Sequence, residues 1–151
     1  MDENRISCVK RLLYSTDNNE VINYLSQTDD SEILYVYAYN YNWDNGFDIP
    51  RAILDNAKSD LSIALLLFYR ADGIRYLEDK SENIYLPCWF SFIKSLYDSI
   101  VTRKYQIGEI GEIGFKVPLS NVHLYKLKKM ITEGEFIFLE NIEGKCLDVD
   151  L

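Results

Sequence analysis

The stretch Asp60-Leu61-Ser62-Ile63-Ala64-Leu65-Leu66-Leu67-Phe68-Tyr69-Arg70-Ala71-Asp72-Gly73 decides the fold. It is too long for an ordinary strand and apolar on nearly every side. Such a segment is a helix packed all round, at the centre of a helical protein. Ser59 or Asp60 supplies the N-cap, and Gly73 is expected in the left-handed conformation that stops the helix. At seven consecutive apolar residues, Ile63 to Tyr69 falls far short of the roughly 20 that a membrane span needs. The expected partners therefore include no membrane.

Working outward toward the N-terminus, Pro50 and Asp48 start a short helix over about Ile49–Asn56, since proline fits a first turn. Before it, Asn42-Trp43-Asp44-Asn45-Gly46 reads as a tight turn. Ser31 is the expected N-cap of a helix through Ile33, Leu34 and Val36. Earlier helices are placed on Val21, Ile22 and Leu25, and over about Glu3–Tyr14.

Toward the other end, Pro87 opens a helix patterned by Trp89, Phe92, Ile93, Leu96 and Ile100, reaching to about Tyr105. Three near-copies of an Ile-Gly-Glu triplet over 107–115 oppose a helix and read as a loop or an irregular strand. Pro118 and Ser120 start a helix through Val122, Leu124, Leu127 and Ile131. Phe136–Leu139 and Cys146–Asp150 flank an Asn141–Gly144 turn and are expected to form a small hairpin leaning on the helices. The expected class is mainly α (α+β): a single domain over 1–151, a multi-helix bundle around the helix at about 60–72, with a small C-terminal β-hairpin. A hydrophobic share of 48% against 26% charged residues suits one self-sufficient core.

Charge narrows the function. The net charge is −8, and between Ser15 and Asp60 the acids Asp17, Glu20, Asp29, Asp30, Glu32, Asp44, Asp48, Asp55 and Asp60 face only Arg51 and Lys58. Such a segment repels phosphate, which argues against nucleic acid, and speeds encounter with a basic protein. Tyr35, Tyr37, Tyr39, Tyr41 and Trp43 alternate beside it. On a strand all would share one face; on a helix they divide, leaving some near the surface. Aromatic rings beside acids make a docking face, and the expected partner-binding residues are Asp29, Asp30, Glu32, Tyr37, Tyr41, Trp43, Asp44 and Asp48. The competing reading is that the rings fill the core and the acids cap helices.

Little points to catalysis. The lone His123 lies in an amphipathic helix with no partner at a telling spacing; an enzyme with a dispersed site built on His123 and carboxylates, or a regulatory adaptor, are the alternatives. Asp29-Asp30 and Glu78-Asp79 could hold a cation but lack the spacing of a calcium loop. No metal or other cofactor is expected. Cys8, Cys88 and Cys146 are an odd, unpatterned set, suited to reduced thiols in the cytoplasm, and Met1–Arg5 lacks a signal peptide's apolar core.

Tyr41-Asn42-Trp43-Asp44-Asn45-Gly46-Phe47-Asp48-Ile49-Pro50, with Ala52-Ile53-Leu54 and Asp60–Phe68, resembles a bacterial family known as domain of unknown function 4274. The resemblance spans roughly Val21–Tyr76, and its most specific part is the Asn-Trp-Asp-x-Gly-x-x-x-Pro string. That family often carries cysteine where Ser59 stands here. The resemblance implies small bacterial proteins, some encoded near polymorphic toxins and suspected of being immunity proteins. It implies a cognate protein toxin, such as a basic nuclease domain, as partner. Physically the string looks structural, with Trp43 anchoring a turn that Gly46 permits.

Overall fold

A computed structural model describes residues 1–108 and 112–151, so the middle of the Ile-Gly-Glu repeat lies outside the described residues. Helices run over Glu3–Tyr14 (α1), Asn18–Gln27 (α2), Ser31–Tyr39 (α3), Asp48–Asp55 (α4), Leu61–Arg70 (α5), Ile74–Glu78 (α6), Pro87–Val101 (α7) and Asn121–Met130 (α8). The protein is mainly helical, with 3₁₀ turns at Trp43–Asn45 and Glu133–Leu139.

Aspartates set most of the early helix starts. The Asp2 carboxylate accepts from the Arg5 N–H, Asp17 from Asn19 and Glu20, Asp30 from Glu32 and Ile33, and Asp60 from Ile63. Asp30, not Ser31, is thus the cap of α3, because its carboxylate, one position earlier, accepts from two orphan N–H groups at once. Ser120 caps α8 by accepting from His123, and Pro87 occupies the first turn of α7. That helix ends at Val101, short of the expected Tyr105, where Arg103 turns the chain with a φ of 63°.

The helix at the centre is α5, whose residues Leu61 to Phe68 are all buried. It shares that position with α3, buried from Ile33 through Ala38. The two pack together, with α1 against α3, α7 against α5, and α2 against α4. The stop after α5 differs from expectation. Asp72, not Gly73, takes the left-handed turn at φ 61°, and Gly73 has ordinary helical φ. Glycine is needed there for space: a Cβ would lie 2.5 Å from the Phe68 carbonyl and 2.7 Å from its ring.

The expected hairpin is not formed among the described residues. Glu133–Leu139 coils as a 3₁₀ turn, opened by reciprocal bonds between Thr132 and Glu135, and this buries the adjacent Phe138 and Leu139 together. A strand would send those neighbours to opposite faces. Phe138 fills a gap between the rings of Phe68 and Tyr97, 4.6 and 5.4 Å away. The closing segment pairs instead with the repeat: Ile113 bridges Lys145 in parallel and Phe115 bridges Ile142 antiparallel. Gly114 and Gly144 meet there so closely that a Cβ on Gly114 would stand 2.9 Å from the Gly144 nitrogen.

From Lys145 the chain runs as a strap along α3. Lys145 pairs with Glu32 at 2.7 Å, Asp148 accepts from the Tyr35 hydroxyl at 2.8 Å, and the Asn40 amide donates to the Val149 carbonyl at 2.7 Å. Leu151 N–H returns a bond to Asn40 Oδ1 at 2.9 Å, and Leu147 is buried beneath.

Candidate functional site

The motif from Tyr41 to Pro50 links α3 to α4. Tyr41 donates its hydroxyl to the Gly46 carbonyl at 2.8 Å, and Asn42 Oδ1 accepts from the Asp44 N–H. Gly46 carries the positive φ of 85° expected of it. Trp43 meets Tyr41 edge-on at 5.2 Å, and Phe47 stacks on Phe92 of α7 at 4.9 Å. The Trp43 indole N–H is buried, with no hydrogen-bond acceptor among the described residues. Three rings pack against the indole: Tyr41, Phe47 and Phe92 all lie within 6.1 Å, centre to centre.

This anatomy removes part of the expected face. Tyr37 and Tyr41 are 3% and 6% exposed, so neither ring is presented outward. Burial pushes both phenols up to about 12, helped at Tyr37 by Tyr41 and at Tyr41 by Asp48. The helical period explains it: α3 is apolar on all sides, so alternation in sequence became a ring of core contacts. Trp43 and Phe47 remain half-buried.

The acids divide as well. Asp30 and Glu32, at the start of α3, both bind the Arg5 guanidinium at 2.7 and 3.4 Å, and Glu32 also binds Lys145. They fasten α1 and the strap to α3 and are not free for a partner. Asp44 and Asp48 lie beyond the other end of α3, whose nine residues rise roughly 13 Å. Asp29 is exposed in the loop before α3.

A shorter acidic stripe replaces the expected face. In α4, Asp48, Arg51 and Asp55 are exposed while Ile49, Ile53 and Leu54 are buried. Asp44 lies just ahead of Asp48. At the far end, the Asn56 amide donates to the Leu25 and Thr28 carbonyls at 2.8 and 2.9 Å, bringing Asp55 toward the Asp29 loop. Among the described residues none of Asp29, Asp44, Asp48 and Asp55 has an ion-pair partner. Arg51 at mid-stripe lies over the Phe92 ring, 5.6 Å from its centre. Sequence reasoning left out Asp55 as a site residue, although its spacing of seven from Asp48 puts both on one helix face.

The expected alternatives are located too. His123 Nε2 lies 3.1 Å from Glu78 Oε1, joining α8 to α6 at a half-exposed position, and no third polar side chain completes the pair among the described residues. Asp79 is occupied by the Ser81 N–H at 2.9 Å. No group of three or more His, Cys, Asp or Glu side chains suited to a metal occurs among the described residues. Cys8 donates to the Tyr24 hydroxyl at 3.2 Å; Cys88 and Cys146 are exposed. Among the described residues no helix is long and apolar enough to cross a membrane.

No curated protein and no solved structure matches the chain. Residues 29–101, from the loop before α3 to the end of α7, match the model of the family described as Domain of unknown function (DUF4274), which supports assigning this segment to that family.

Proposed function

We propose that this chain is a non-catalytic binding protein, an immunity protein that neutralises a cognate bacterial toxin in the cytoplasm. The observation that carries the binding role is the row of exposed carboxylates at Asp44, Asp48 and Asp55, without ion-pair partners among the described residues, beside the half-buried Trp43 and Phe47. Free carboxylates on a rigid helix attract basic side chains without first breaking an internal ion pair, and the aromatic edges add contact area. A basic nuclease domain is the partner chemistry that fits, because a carboxylate row competes with phosphate for the same cations. The immunity role rests on the family resemblance. Tyr37 and Tyr41 act from inside, by holding the turn that presents Trp43.

The test is capture of a partner from the native host, followed by expression of that partner alone. The reading requires it to be toxic alone and harmless when this chain is co-expressed. Reversing two charges, Asp48→Lys with Asp55→Lys, should abolish the protection. A harmless partner, or protection that survives the reversal, contradicts it.

The His123–Glu78 contact favours one second reading, a small enzyme using that pair for proton transfer. Full biological activity of His123→Ala removes it.

A further inference from the structure

A cleft of about 330 Å³ opens between α3, α5 and the strap, and it shares no residue with the acidic stripe of α4. Its walls are apolar: Tyr39, Leu66, Tyr69, Phe115 and Pro118. Its volume suits a ligand of on the order of ten non-hydrogen atoms. Tyr69 and Phe115, 5.8 Å apart and 28° from parallel, both line the cleft and give it an aromatic side to which another ring can pack.

The rim is cationic in an otherwise acidic protein. Arg70 and Lys116 line it, both exposed, and neither has a carboxylate partner among the described residues. The Arg70 guanidinium is held 4.1 Å from the centre of the Tyr39 ring, which restrains it before any ligand arrives. Asp148 is the opposing charge, already accepting the Tyr35 hydroxyl. Two cations against one anion leave one positive charge uncompensated. A planar monoanion satisfies the fork of an arginine, whereas a phosphate dianion would be repelled by Asp148.

We propose that this cleft binds a small aromatic carboxylate, with the ring against Tyr69 and Phe115 and the carboxylate between Arg70 and Lys116. The probes are benzoate, its neutral analogue benzamide and inorganic phosphate, titrated into the full chain and followed by amide chemical shifts. Benzoate should shift the amides around Tyr39, Arg70 and Lys116 saturably, with a Kd on the order of 1 mM. Benzamide should bind at least about tenfold more weakly, and phosphate should leave these amides unmoved. Arg70→Gln and Lys116→Gln should each weaken benzoate about fivefold or more; both sites are exposed, and an unchanged Tm confirms that each variant folds. Shifts that map elsewhere, equal binding of benzoate and benzamide, phosphate binding as tightly as benzoate, or unaltered affinity in both variants would each overturn the assignment.

Discussion

The carboxylate of Glu135 is 4% exposed and receives the Lys80 ammonium at 2.8 Å, the Tyr97 hydroxyl at 2.8 Å and the Thr132 N–H at 3.0 Å. Burial alone would raise its pKa; Lys80, the Thr132 backbone, Tyr97 and the Thr132 hydroxyl outweigh that and hold it at about 2. The folded value lies below the ordinary 4.5, so its stabilisation is complete above about pH 4.5 and is lost as pH falls toward 2. The shift is equivalent to up to about 3 kcal/mol. Glu135→Gln should therefore destabilise the protein by roughly 2–3 kcal/mol at pH 7 and flatten the stability profile between those limits. Urea titrations at several pH values read both; an unchanged profile contradicts the pairing. Gly73 is the second single residue under constraint. Gly73→Ala should cost about 2 kcal/mol or more, because the Phe68 carbonyl it would strike also accepts the Gly73 N–H at 2.8 Å and cannot retreat. A Tm within about 1 °C of the parent would contradict that geometry.

At the scale of elements, the strap and α4 make opposite predictions. The strap is fastened by Asn40, which bonds Val36, Val149 and Leu151. Asn40→Ala should cost roughly 1–3 kcal/mol and accelerate hydrogen exchange at the Leu151 amide, because each lost bond leaves a partner unsatisfied. Unaltered exchange there would mean the strap is held by its apolar side chains. Among the described residues the α4 stripe makes no ion pairs, so Asp48→Lys with Asp55→Lys should change stability by no more than about 0.5 kcal/mol per site. The elements themselves were largely legible, because period and caps are local: α5, α7 and α8 follow from apolar spacing, proline and serine. The short α6 was missed because five residues carry too little pattern. The strap and the Glu133–Leu139 turn differ from the expected hairpin, since bridges to Ile113 and Phe115 some thirty positions away, and bonds to Tyr35 and Asn40 more than a hundred away, leave no local trace.

At the scale of the whole molecule, the charge of −8 was legible but its arrangement was not. Sequence proximity put Asp30 and Glu32 in one patch with Asp44 and Asp48; folding spent the first two on Arg5 and Lys145 and left the others beside Asp55. Nor does sequence distinguish an aromatic row on a surface helix from one on a helix enclosed by α1 and α5. The exposed motif residues Asp44 and Asp48 and the half-buried Trp43 survive that sorting, and the docking account stands on them. Its most direct test is the association rate of the captured partner with this chain and with the Asp48→Lys, Asp55→Lys variant, measured across rising salt. The account predicts a parent rate that falls steeply with salt and a variant slower by about tenfold or more at low salt. Equal rates for the two proteins, indifferent to ionic strength, would contradict it.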